Sequence, residues 1–340
     1  MCAAYVAQQM GSVGAQLVPG TSRQITFAGR PGITLAPQTD YVYSDPVTFA
    51  VTAQQNLAIS LFLSAPAAAA AFTPTWTSSY ATATGAGDRT RDETGSPYTT
   101  DFAGTSSTVV GGFFQGGKGY AVTALDVLTN DANGAMVVFG SSTFHGFESD
   151  LDKYDDVAED LDARVNREIP RGQRKTIVNE GIGGDSLYLG LARLQRDVFS
   201  QTGVAGVVLY DINDISNGRT LQQIENDYAT AVALGHAHGI RVFCPTWAPE
   251  ATDIRAEPSQ EREQVNAFLL KAGTCDGTVD WDAVLRNPLL PVTYDPKYFS
   301  DGIHANAAGH AAIANAVPLT AWFTGYAFPA QNGRNAARRR

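Results

Sequence analysis

Met136-Val137-Val138-Phe139-Gly140-Ser141-Ser142-Thr143 is an apolar run that ends in a glycine-started turn carrying serines. Three more short apolar runs follow, at Thr176–Val178, Val204–Tyr210 and Ile240–Cys244, with long amphipathic stretches between them. That alternation predicts parallel β/α units. In the first stretch Leu151, Tyr154, Ala158, Leu161 and Val165 recur at steps of three and four, which stacks them on one helical face. A second helix is predicted near Leu221 to His238, closed by Gly239 at the C′ position. The expected result is an open sheet of five short strands with helices on both faces. Such sheets bind ligands beyond the carboxyl ends of their strands, so function is to be sought in the loops after each run.

Upstream the periodicity is different. From about Ala15 to Leu128 apolar residues alternate, as in Ile25/Phe27, Ile33/Leu35, Val47/Phe49/Val51 and Leu57/Ile59/Leu61/Leu63. Period two predicts β-strands. Thr73 to Gly119, rich in Thr, Ser and Gly, is expected to supply long loops and a few more strands. The change of character at Asn130-Asp131-Ala132-Asn133-Gly134 sets a boundary, giving a β-rich ancillary domain over 1–130, a second domain over 131–328 and a solvated tail over 329–340 that ends in Arg338-Arg339-Arg340.

Composition narrows the partners. With 24 basic and 34 acidic residues the net charge is −10, so no sequence-wide basic field attracts nucleic acid or anionic lipid. The chain is 17% charged and 44% hydrophobic, too apolar for intrinsic disorder. The best candidate for a membrane span, Leu57 to Phe72, is interrupted by Ser60, Ser64 and Pro66 and falls short of the ~20 residues a bilayer requires. No basic and then apolar leader opens the chain, whose first arginine is Arg23. Cys2, Cys244 and Cys275 match neither a zinc cluster nor a redox pair. A Cys244–Cys275 bridge requires their loops to meet, and two buried free thiols is the preferred reading.

The loops offer the parts of an acyl-transfer site. The second run ends in Asn179-Glu180-Gly181-Ile182-Gly183-Gly184-Asp185, the third in Asp211-Ile212-Asn213-Asp214, and Asp301-Gly302-Ile303-His304 precedes a helix near Asn306. Hydrolysing an ester requires a serine activated by a base, a group that aims the base, and fixed donors for the oxyanion. An aspartate three residues before a histidine can take the imidazole Nδ1–H while Nε2 faces a serine, and Asp301 and His304 have that spacing. Gly184 and Asn213, with the serine's own N–H, are candidate oxyanion donors.

These four blocks, in this order over roughly residues 135 to 325, resemble the SGNH hydrolases, or GDSL esterases and lipases. The resemblance implies an α/β, flavodoxin-like three-layer doubly wound parallel sheet. The N-terminal half resembles the sandwich or jelly-roll-like domain that precedes some actinobacterial members. It further implies Ser142 as nucleophile, His304 as base, Asp301 as its orienter, and Gly184 and Asn213 as oxyanion donors, with a short acyl group such as acetyl on a carbohydrate as substrate and an extracytoplasmic location. Two departures stand out: Ser141 occupies the usual aspartate position of the first block, and Asp211 a place where glycine is common. A carboxylate beside a developing oxyanion raises its energy unless turned away or paired.

The literal tetrapeptide Gly184-Asp185-Ser186-Leu187 is a decoy. Ser142 to Gly184 spans 42 residues and Gly184 to Asn213 a further 29, enough for one helix and one strand per step. From Ser186 only 27 would remain for both crossovers, when one crossover takes about a dozen or more. Ser186 is read as a helix N-cap. His236 and His238 suggest a metal pair, but at a helix end before Gly239 they are read as complementing the dipole. His145 lines the pocket or is an ordinary first-turn residue, and His310 is a helix-face residue. There is no HExxH, GxxxxGK[ST], GxGxxG or GxSxG, so neither metal nor nucleotide cofactor is expected. The expectation is a cofactor-independent serine esterase acting on a small-molecule or carbohydrate ester. Its rivals are a catalytically silent glycan-binding protein and an acyltransferase with the same triad.

Overall fold

The computed structural model describes residues 1–11, 14–36, 41–64, 79–83, 87–102, 109–110, 113–114, 122, 124–150, 153–250 and 259–326. The alanine-rich stretch after Ser64 and the tail over 329–340 lie outside them. The chain divides into two compact units, Met1–Thr123 with Leu151–Tyr154, and Ala124–Asp150 with Asp155–Arg340.

The first unit is antiparallel. β1 (Ala3–Gln8) lies between β2 (Arg23–Ile25) and β3 (Leu57–Phe62), with Ala4 opposite Ile25 and Val6 opposite Ile59. β4 (Ser79–Ala83) pairs with β5 (Tyr98–Phe102), and β6 (Val109–Val110) with β7 (Phe113–Phe114). These ladders fit the β-rich reading; they do not show a sandwich. Two expectations are corrected. The alternation at Ile33/Leu35 and Val47/Phe49/Val51 forms no strand, while the central strand is β1, a small-residue segment upstream of the periodic region. Ala3, Ala4, Val6 and Ala7 are all buried, so no alternation marks it.

The second unit is built on four parallel strands, β8 (Ala132–Gly140), β9 (Arg174–Gly181), β10 (Val204–Tyr210) and β11 (Arg241–Phe243), in the order β11-β10-β8-β9. Met136 to Phe139 and Val204 to Tyr210 are buried throughout, as central parallel strands require. The expected fifth strand is reduced to one parallel bridge, Phe243 to Gly277. The segment carrying Gly277 is fastened there by a Cys244–Cys275 disulfide, with 6.1 Å between the Cα atoms. The two loops do meet, which corrects the free-thiol reading; Cys2 is the exposed free cysteine.

Helices α1 (Ser142–His145), α2 (Val157–Glu168), α3 (Leu187–Gly190), α4 (Asn213–Ser216), α5 (Leu221–Ala237), α6 (Ser259–Leu269), α7 (Trp281–Leu285), α8 (Ala307–Ala316) and α9 (Leu319–Phe323) complete the unit. The steps β8-α2-β9 and β10-α5-β11 run in opposite directions along the sheet, so right-handed crossovers put α2 and α5 on opposite faces. The strand order reverses between β8 and β10, which makes their carboxyl ends the switch point. α5 starts with a Thr220/Gln223 capping box, as a helix over this range should. α2 starts later than its apolar spacing predicts, because the Asp156 carboxylate caps it by accepting from Ala158 N at 2.8 Å and Glu159 N at 3.0 Å, which leaves Tyr154 outside.

The first turn of α2 is crowded with carboxylates. Burial, and behind it the charges of Asp156, Asp162 and Asp160, push the Glu159 carboxyl from 4.5 up to about 8. Between those values the folded chain holds a proton that the unfolded chain has released, so stability falls as pH rises through the interval. Glu159→Gln keeps the shape and removes the titration. Its thermal midpoint should match wild type near pH ~4 and exceed it near pH ~8 by an increment worth roughly 1–3 kcal/mol. Equal midpoints at both pH values would contradict a neutral Glu159.

Candidate active site

β8 delivers Ser142 as the first residue of α1, directly past Gly140 and Ser141. The turn is possible because of glycines. A Cβ at Gly140 would lie 1.9 Å from Tyr210 O on β10, and one at Gly181 would lie 2.3 Å from His145 N. A side chain at Gly140 would push β10 from β8, and one at Gly181 would drive α1 off the sheet.

His304 arrives from the far end of the chain. Its Nε2 lies 2.9 Å from Ser142 Oγ and its Nδ1 2.6 Å from Asp301 Oδ2. Asp301 Oδ1 accepts the backbone N–H groups of Ile303 at 2.8 Å and His304 at 2.7 Å. One carboxylate oxygen therefore shapes the turn while the other aims the imidazole. Burial opposes ionisation of Asp301, but the hydrogen bonds and charge of His304 and the Ile303 amide outweigh it and hold the carboxyl at about 2.

The imidazole is also gripped from the side. The Phe147 ring stacks on it with centroids 5.0 Å apart, and His145 packs edge-on against Phe147 at 5.0 Å. His310 on α8 is fully buried and donates from Nε2 to Phe147 O at 3.0 Å; burial pushes its pKa down, which suits a neutral ring. Nothing in the sequence singled out Phe147, since its role depends on a residue more than 150 positions away.

Gly184 and Asn213 sit on neighbouring loops. Ile182-Gly183-Gly184-Asp185 forms a turn closed by Asp185 N donating to Ile182 O at 3.0 Å, and Gly184 takes φ +79°, which glycine adopts without strain. Asn213 opens α4 after β10, and its Nδ2 donates to Asp185 O at 2.6 Å, tying one loop to the other. The amide carries a second N–H. Asp214 accepts from Leu187 N at 2.9 Å and Tyr188 N at 3.1 Å. Ser186 is fully buried and accepts from Leu189 N, so its hydroxyl caps α3.

Behind these loops lies Arg193, which the sequence reading passed over. It donates to Gly140 O at 3.2 Å, to Glu180 O at 3.0 Å and to Asp185 Oδ2 at 2.7 Å, and covers the Phe139 ring. One guanidinium thereby joins the ends of β8 and β9 to the Asp185 turn. The two helix-end histidines have other business: His236 Nε2 pairs with Asp276 at 2.9 Å, and His238, the C-cap of α5, stacks on Phe199 at 4.1 Å. Among the described residues no cluster of three or more His, Cys, Asp or Glu side chains could hold a metal.

Residues 138–312 match the family model of the GDSL-like lipases and acylhydrolases. Among solved structures, a GDSL-like lipase from Bacteroides thetaiotaomicron is 18% identical over 57% of this chain and 91% of its own, with a TM-score of 0.45. A lipase/acylhydrolase from Enterococcus faecalis is 17% identical over 54% of this chain and 92% of its own, with a TM-score of 0.44. No curated protein matches the chain.

Proposed function

The chain belongs to the GDSL-like lipase/acylhydrolase family, and from that premise we propose that it is a serine esterase working without a cofactor on short-acyl esters. The observation that carries the reading is the position of the His304 ring, 2.9 Å from the Ser142 hydroxyl on one side and 2.6 Å from Asp301 on the other. His304 Nε2 takes the proton as Ser142 Oγ attacks the ester carbonyl, and Asp301 holds Nδ1–H and steadies the imidazolium. The oxyanion is held by the N–H groups of Ser142 and Gly184 and the Asn213 side chain. On collapse the alcohol leaves with the His304 proton. Water then repeats the sequence on the acyl-enzyme and releases the acid.

Residues 131–328 are read as the catalytic domain and residues 1–130 as ancillary. A docking role for the latter on a carbohydrate carrier is suggested by an open polar depression in the first unit, lined by Tyr5, Ser22, Gln24, Arg91 and Glu93. An aromatic ring beside paired donors and acceptors suits a sugar. The Cys244–Cys275 bridge supports an extracytoplasmic setting, where disulfides persist. No described helix is long and apolar enough to cross a membrane. The short-acyl assignment is tested with p-nitrophenyl esters from acetyl to palmitoyl: kcat/KM should fall steadily with chain length, and a maximum at the long chains would overturn it. Product analysis with competing alcohols separates the hydrolase from an acyltransferase sharing the same residues.

A further inference from the structure

The two departures noted in the sequence, Ser141 and Asp211, meet in space. Gly140 on β8 is paired with Tyr210 on β10, so the residues that follow leave the sheet as neighbours. Both are buried, at 1% and 2% exposure. Asp211 Oδ1 accepts the Asn213 backbone N–H at 3.1 Å. Its Oδ2 and the Ser141 hydroxyl are both buried and neither makes a hydrogen bond among the described residues; Ser141 is the neighbouring side chain that acts to lower the Asp211 pKa. Asp211 thus lies between the turn that carries Ser142 and the turn that carries Asn213.

The charges around it are negative. Asp214, three residues on, and Asp185, from the loop after β9, both act on Asp211. Asp214 is satisfied by the Leu187 and Tyr188 amides, and Asp185 by Arg193. Tyr210 precedes it with a phenol that burial pushes up, and Glu250, in the segment after β11, acts on that phenol. From the β8 side the groups are Ser141 and Ser142, with His304 beyond. Among the described residues no cation acts on Asp211, so a carboxylate placed here gives up its hydration without gaining an opposing charge. Burial, and then the Asp214 charge, accordingly raise the Asp211 pKa well above the ordinary carboxylate range.

We propose that Asp211 works as a neutral carboxylic acid, donating Oδ2–H to the Ser141 hydroxyl and accepting the Asn213 amide at Oδ1, so that it is the positioning residue that registers the nucleophile turn against the oxyanion turn, and that its ionisation as the pH rises slows the site. The inference rests on the esterase reading above. A neutral acid completes the hydrogen bonding of both turns and adds no charge. Once ionised, it sets a fixed negative charge near the oxygen that becomes negative in the transition state, which costs on the order of tenfold in rate.

The test is the pH dependence of Ser142 labelling by a fluorophosphonate in the full-length chain, whose tetrahedral adduct uses the same donors. Wild type should label fastest around neutrality and lose about tenfold on the alkaline side. Asp211→Asn cannot ionise, yet its amide still accepts from Asn213 and donates to Ser141. It should keep the neutral rate within about threefold and lose the alkaline decline. Ser141→Ala removes a hydroxyl that bonds the ionised form more strongly than the neutral one, so the decline should move to higher pH. An unchanged decline in Asp211→Asn overturns the proposal; if that variant does not fold, an unmoved decline in Ser141→Ala does so. A wild type that Ser142-directed reagents never label would instead defeat the esterase reading. Thermal midpoints then still decide whether Asp211 is neutral. An acid held protonated by the fold costs stability above its unfolded pKa, so Asp211→Asn should melt higher than wild type near pH ~8 and level with it near pH ~4.

Discussion

Ser142→Ala protein should fold as wild type does and should hydrolyse p-nitrophenyl acetate slower by on the order of a millionfold in kcat. The expected effect is this large because in the proposed mechanism Ser142 supplies the atom that bonds to the carbonyl carbon, and the water that would replace it is neither aligned nor within reach of a base in the same way. What remains is transition-state binding by the oxyanion donors, about 10³–10⁴ over the reaction in water. The adduct on the peptide containing Ser142, read by mass spectrometry after fluorophosphonate treatment, should vanish with the activity. Ser186→Ala is the companion experiment. Its hydroxyl caps α3, so it should lose about 1 kcal/mol of stability and keep its activity. Activity that survives in Ser142→Ala and disappears in Ser186→Ala would reassign the nucleophile to the literal GDSL tetrapeptide.

Asp301→Asn is the second large effect, about 10⁴-fold in kcat. Asp301 Oδ2 accepts the Nδ1–H of His304 at 2.6 Å, which leaves Nε2 as a bare acceptor facing Ser142. An amide in this place can present its NH₂ to Nδ1. The imidazole then carries its proton on Nε2 and cannot take one from the serine, although no atom has moved far. The asparagine oxygen still accepts from the Ile303 and His304 amides, so the turn should survive, and far-ultraviolet circular dichroism should be unchanged. Because Asp301 is held at about 2, it stays ionised across any practical pH range. Asp301 should therefore contribute no ionisation of its own to the pH profile of kcat/KM. A loss of less than tenfold in Asp301→Asn would remove Asp301 from the mechanism.

Much of the second unit was legible because its signals are local. β8 and β10 are buried on both faces, and a strand of that kind is a continuous apolar run that a window of eight residues captures. α5 carries its start and stop in Thr220, Gln223 and Gly239. The blocks at strand ends could be ordered because crossovers consume a minimum of chain, which favoured Ser142 over Ser186.

What failed did so where a contact replaced a local pattern. β1 is a strand because β2 and β3 flank it, and its small residues show no period. The alternation at Val47 to Val51 had the period without the neighbours, and a ladder cannot form from one side alone. The start of α2 was misplaced since a capping carboxylate outweighed apolar spacing. The fifth strand shrank to one bridge, with a disulfide supplying the attachment that a ladder would have given.

By itself, then, the order of short apolar runs and glycine turns determined a parallel sheet, its direction, and which loops share its carboxyl edge, because main-chain pairing and burial act over a few residues. Tertiary structure decided which atoms touch: the His304 ring against Ser142 across 162 residues, Phe147 on its flank, Cys244 bound to Cys275, and Asp211 beside Ser141. Each of those depends on the entropy of long chain segments being overcome by the packing of the whole unit, a sum to which every buried side chain contributes and which no single stretch of sequence contains.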